Sequence, residues 1–92
     1  MENTKIIQTQ TVLIQGNKTI NISQYGDILD YGFKNIGVTD CVLYGNFPLL
    51  VGDGLFSVNG YREHYRNDNI DISFTGGTGS LLLYLTKVIN TL

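Results

Sequence analysis

The 92 residues make room for one domain and not two. A chain of that size buries only roughly 60–65% of its unfolded surface, so its stability margin is small and oligomerisation would add to it. With 42% hydrophobic and 15% charged residues and plentiful Asn, Thr and Gly, the composition excludes disorder beyond the first few positions. A formal net charge of −2 argues against a general nucleic-acid binder, and the single cysteine, Cys41, rules out an intramolecular disulfide.

Taken in order, MENTKIIQTQ lacks the basic stretch and apolar core of a signal peptide, so a soluble product made in the cytoplasm is expected. Lys5 to Gln15 carries strand-type residues throughout, and Gly16-Asn17 offers a turn into Lys18 to Ser23. The spacing predicts a hairpin that sets Leu13 opposite Ile20 and Thr11 opposite Ile22. Gln8 to Gln10 is polar on both faces, which predicts that the outer half of this strand runs past the core or pairs elsewhere. Residues 1–10 are a candidate extended N-terminal arm.

Asp27 to Lys34 reads as a strand, with a single helical turn from Asp27 as the competing assignment. Val38 to Tyr44 is a strand of β-branched and aromatic residues. Gly45-Asn46 then suits a two-residue type II′ turn, because Gly tolerates φ > 0 at the first central position. Phe47 is held extended by Pro48, and Pro48 has no N–H to donate, so Phe47 to Val51 is predicted as an edge strand or one that begins at the proline. After Gly52-Asp53-Gly54 comes Leu55 to Val58, then Asn59-Gly60, the preferred type I′ pair, then Tyr61 to Arg66. That hairpin would place Val58 opposite Tyr61, Ser57 opposite Arg62 and Phe56 opposite Glu63. Its polar face would hold Ser57, Arg62, His64 and Arg66.

Asn69 to Thr75 gives the cleanest alternation, with Ile70, Ile72 and Phe74 inward and Asp71 and Ser73 outward. Gly76 to Ser80 reads as a flexible loop. Leu81 to Leu85 is apolar on both faces, as in a strand covered on both sides. It is central in a sandwich, or one face meets a neighbouring subunit, which makes Leu81, Leu83 and Leu85 candidate interface residues. At five residues the run is far short of the about 20 that cross a bilayer as a helix. About eight short strands with no convincing amphipathic helix predict an all-β fold. The expected architecture is an antiparallel β-sandwich of immunoglobulin-like or jelly-roll type over residues 1–92, with a partly open barrel as the alternative.

The candidate binding residues are Tyr61, Arg62, His64, Tyr65 and Arg66. An anionic partner such as phosphate, a sialylated glycan or an acidic protein surface would suit Arg62, His64 and Arg66. A solvated strand face balanced by Glu63, Asp68 and Asp71 accounts for the same residues. The six tyrosines offer surface for sugar stacking or protein contact, or else fill the sandwich rim with their hydroxyls in water. Asn67-Asp68-Asn69 with Asp71 has oxygen ligands but not the spacing of an EF-hand, and turn chemistry explains it without a metal. Gly76 to Ser80 lacks the Lys and the helix of a phosphate-binding loop. One Cys and one His without a nucleophile-elbow serine give no catalytic signature, so no enzyme activity, metal or cofactor is expected. Cys41 itself reads as a small buried hydrophobe.

The run from Asn35 to Gly60, with Asn-Ile-Gly, a strand, and then YGNFPLLVGDG, resembles the small β-sandwich accessory proteins of bacteriophage virions. Those proteins decorate capsids or build tail and fibre parts. The resemblance implies a structural, non-enzymatic protein located in the virion, with other virion proteins or further copies of itself as partners in a homo-oligomer. It carries over no functional residue. The same turn spacing occurs in carbohydrate-binding and adhesin-like sandwiches. A monomeric carbohydrate- or ligand-binding module is therefore the alternative, and a phage-encoded inhibitor of a host protein is a third.

Overall fold

The computed structural model describes residues 4–59 and 65–91. Eight strands form over this range: β1 (Thr4–Gly16), β2 (Lys18–Asn21), β3 (Asp27–Asn35), β4 (Cys41–Leu43), β5 (Phe47–Leu49), β6 (Gly54–Asn59), β7 (Asn69–Phe74) and β8 (Thr78–Thr91). They make two antiparallel four-stranded sheets, ordered β1-β8-β3-β6 and β2-β7-β4-β5. The chain is an all-β sandwich, as its composition and strand spacing predict.

The pairing follows one rule. β1 pairs with β8, β2 with β7, β3 with β6, and β4 with β5. The chain is thus one long antiparallel ribbon, doubled back at the β4–β5 turn and rolled up. Contacts of β3 with β8 and of β4 with β7 then close each sheet. This strand order is that of an eight-stranded jelly roll.

Rolling overturns the expected Gly16-Asn17 hairpin. Leu13 lies opposite Leu82 and Ile20 opposite Ile70, in different sheets. A two-residue hairpin of the primed types needs φ > 0 at its first central position, and neither Gly16 nor Asn17 has it. Asn17 instead acts as a corner, its Oδ1 accepting the Phe74 N–H at 2.7 Å. The β4–β5 hairpin loop is one residue longer than predicted: Leu43 pairs with Phe47, which leaves Tyr44, Gly45 and Asn46 in the loop. Tyr44 (φ 57°) and Gly45 (φ 78°) are left-handed, and the Asn46 N–H donates to the Leu43 carbonyl at 3.1 Å.

The third expected hairpin, at Asn59-Gly60, does not place β6 beside a strand at 65–66. β6 pairs with β3, and residues 65–68 are not strand. Gly60 to His64 lie outside the described residues. Asp27 to Asn35 is strand throughout, without the helical turn. The strand predicted from Val38 begins only at Cys41, and Thr75–Gly77 is a 3-10 turn leading into β8 at Thr78.

The core lies between the sheets. Ile14, Phe33, Leu81, Leu83 and Leu85 enter it from the first sheet, and Ile20, Leu43, Ile70, Ile72 and Phe74 from the second. Tyr31 and Phe33 meet edge to face with centroids 5.8 Å apart, a favoured aromatic geometry. The sheets are unequal in length. β1 and β8 have 13 and 14 residues, whereas no strand of the second sheet exceeds the six of β7. The long β1–β8 ribbon therefore outruns its cover, and the molecule is drawn out to 53 × 19 × 19 Å.

Candidate functional site

Of the predicted binding residues, Tyr61, Arg62 and His64 lie outside the described residues. Tyr65 is exposed, and Arg66 turns inward. The Arg66 N–H donates to the Ile28 carbonyl at 2.8 Å, which holds the 65–68 segment against the start of β3. Arg66 Nη2 reaches Asp68 Oδ2 at 2.5 Å, and its guanidinium lies over the Tyr31 ring at 5.9 Å from the centroid. The Tyr31 hydroxyl donates to Asp68 Oδ2 at 2.6 Å and lies 2.7 Å from the Tyr44 hydroxyl.

Burial opposes the Asp68 charge. Hydrogen bonds from Tyr31 and Arg66, together with the Arg66 charge, outweigh it and hold the carboxyl below the usual carboxylate range. Asp68 in turn raises the Arg66 pKa, chiefly through their hydrogen bond. Burial pushes the Tyr31 hydroxyl up. Arg66 is thus held in an internal pair with Asp68 and is not part of a solvated strand face, since residues 65–68 are not strand, and the cluster staples the 65–68 segment to the β4–β5 turn through Tyr31.

A second polar centre is Asn35, a fully buried polar side chain at the end of β3. Its Nδ2 donates to the carbonyls of Thr39 (2.8 Å) and Leu49 (3.1 Å), and its Oδ1 accepts the Gly37 N–H at 3.1 Å. Its backbone bonds Asp53 and Gly52. Asp40 Oδ1 adds a bond from the Val51 N–H at 2.9 Å. One residue therefore fixes two loops, and those loops carry Ile36, Val38, Leu50 and Val51 in exposed positions, Val38 at 93%. Sequence reasoning missed this tip; aliphatic residues set among turn-forming Gly and Asp are the signal that marks it. A shallow groove of about 480 Å³ lies beside it, between Gly37–Thr39 and Thr78–Ser80.

The third feature is the ribbon. Leu81, Leu83 and Leu85 face the core and are almost wholly buried by their own chain, so that face of β8 offers nothing to a neighbouring subunit. The outward residues Leu82 and Tyr84 are half-buried. On β1 the alternation of a half-covered strand breaks down: every residue from Ile6 to Thr11 is exposed, on both faces. This segment is not a loose arm, since it pairs continuously with β8, Ile6 with Ile89 through Thr11 with Tyr84.

The four sheet edges differ. β5 is three residues long and contains Pro48, β2 has four residues and β6 six. β1 is an edge of 13 residues without proline, and its one charged residue, Lys5, is near its end. Shortness, proline and charge are the usual protections of a sheet edge, and β1 has little of any.

Among the described residues no group of three or more His, Cys, Asp or Glu side chains is placed to hold a metal ion. Cys41 is buried, and burial first, with Asp40 nearby second, raises its pKa and keeps it a thiol. No helix among the described residues is long and apolar enough to cross a membrane. Together the fold and these features define a jelly-roll sandwich with a long uncovered edge. Comparison with protein-family models, curated proteins and solved structures found no significant match.

Proposed function

We propose that this chain is a non-enzymatic structural and interaction protein, a bacteriophage virion component such as a capsid decoration, tail or fibre part, that works by assembly and surface contact. The observation that carries the reading is the outer half of β1, exposed on both faces and open along its edge. An exposed edge supplies main-chain hydrogen bonds to an added strand, and alternate side chains supply specificity. Viral capsid domains are among the proteins built on jelly rolls, which supports the setting by analogy of fold alone. The tip of Ile36, Val38, Leu50 and Val51, held rigid by Asn35, adds a preorganised apolar contact.

Quantitative mass spectrometry of purified particles from the source tests the proposal. A fixed number of copies per particle, retained through density purification, is the expected result. Recovery only from the particle-free fraction contradicts it.

A further inference from the structure

We propose that β1 pairs antiparallel with β1 of a second copy of this chain, about a two-fold axis through Gln10, so that two jelly rolls share one continuous eight-stranded sheet. The inference rests on the assembly reading and specifies its first contact.

The register follows from geometry. Along a strand, successive residues point their N–H and C=O groups alternately to opposite neighbours. On β1 one set is used by β8 and the other faces the open edge. Antiparallel pairing of identical edges can therefore join only residues of equal parity, and the axis must pass through a residue. Equal parity also puts each pair on one face of the sheet.

Among the registers this permits, an axis at Gln10 is the one that sets two exposed apolar side chains against each other: Ile7, 58% exposed, meets Leu13, 52% exposed, on the outer face. On the inner face Ile6, 46% exposed, lies opposite Ile14, whose side chain is already buried in the core of its own chain. Each pair occurs twice by symmetry. Thr9 faces Thr11, Gln10 faces itself, and no like charges are opposed. An axis at Thr9 gives only Ile6 with Val12 and sets Lys5 against Leu13. An axis at Thr11 gives no apolar pair.

The size of the contact sets its strength. Ile6 to Ile14 spans about 30 Å of edge, and its free groups form about eight to ten hydrogen bonds with the second copy, as many as a typical specific interface. Taken as a strip about 10 Å deep, the contact covers roughly 600 Å² in all, below the about 1,200 Å² of a stable complex. The dimer is accordingly reversible and depends on concentration.

Disulfide trapping tests this, because Cys41 is buried and does not compete. Paired residues in an antiparallel ladder lie within disulfide range. Oxidation of Gln10→Cys should yield a covalent dimer at least about tenfold faster than the exposed control Lys34→Cys, through the raised effective concentration of the thiols. Light scattering should show the mass of the unaltered chain rising from monomer toward dimer with concentration. The doubly substituted Thr9→Lys, Thr11→Lys chain opposes like charges across the axis and should stay monomeric, with an unchanged circular dichroism spectrum. Trapping at Thr9→Cys in preference to Gln10→Cys overturns the register. A monomeric mass at every concentration, with Gln10→Cys no faster than the control, overturns the dimer. A chain that is monomeric yet present in particles refutes the dimer alone, and a dimer absent from particles refutes the virion reading alone.

Discussion

Ile6 and Ile14 sit on the same strand and the same side of its pleat, yet Ile14 is 1% exposed and Ile6 46%. The difference is made by the other sheet. At Ile14, which joins Ile20, Ile70 and Ile72 in the core, β1 is half of a sandwich; eight residues earlier the same side chain is nearly half exposed to water. Burial here is set by the mismatch in strand length between the sheets and not by the pattern along β1. The long sheet thus combines a folding half, which holds the molecule together, with a projecting half that is free to engage a partner.

The sharpest way to break this comparison is to truncate both isoleucines. Ile14→Ala should cost about 2–5 kcal/mol, as expected for a large-to-small change in a packed core, while Ile6→Ala should cost less than about 1 kcal/mol. Urea unfolding of the two variants measures both, and equal losses would mean that the ribbon is not divided as described. Next in size is Asn35→Ala. It strips a partner from the buried Leu49 carbonyl and from the part-buried Thr39 carbonyl and Gly37 N–H, and should cost roughly 2–4 kcal/mol, since each buried group left unpaired costs about 1–3. Proteolysis at residues 36–40 and 50–53 should rise with it.

Gly79→Ala examines the packed end of the long strand. A Cβ there would stand 2.2 Å from Phe74 Cδ1 and 2.7 Å from Thr39 Oγ1. Overpacking of that kind should lower stability by about 1–3 kcal/mol. A smaller effect, with a pH signature, is expected at Asp68. Its folded pKa is lowered, despite burial, by Tyr31 and Arg66. Its contribution is therefore complete above the unfolded value of about 3.9 and is lost as pH falls through the lower folded value. Asp68→Asn should cost about 1–2 kcal/mol at pH 7 and should flatten the acid limb of the stability profile below about pH 4. Urea midpoints at pH 7 and pH 3 for both chains check the sign.

The elements were legible in the sequence far better than their partners. Asn69 to Thr75 shows its inward Ile70, Ile72 and Phe74 by simple alternation, and each is buried. Leu81 to Leu85 marks an interior strand, and β8 lies between β1 and β3. Pro48 marks an edge, and β5 is one. Pairing escaped because turn chemistry reports only on neighbours in the chain, whereas rolling joins β1 to β8 and β2 to β7 across most of its length. Gly16-Asn17 has a hairpin composition, but Asn17 spends its side chain on Phe74 of a distant strand.

The site was less legible still. Arg66 looks available in sequence, but Asp68, two residues on, captures it. The open edge follows from β1 ending its sheet, and the exposed inner face of its outer half from where the second sheet stops; both depend on long-range pairing and not on neighbours in the chain. Gln8 to Gln10 came nearest, being polar on both faces, and these residues do run beyond the core.

Amide hydrogen exchange along β1, followed by NMR at low and high protein concentration, tests the open edge most directly. At low concentration the account predicts alternation from Ile6 to Leu13, with amides bonded to β8 protected and those facing outward exchanging fast; the fast set should slow as concentration rises. Fast exchange at every β1 amide would mean that the ribbon does not form, and uniform protection in dilute solution would mean that the edge is already covered. Either result would contradict the account.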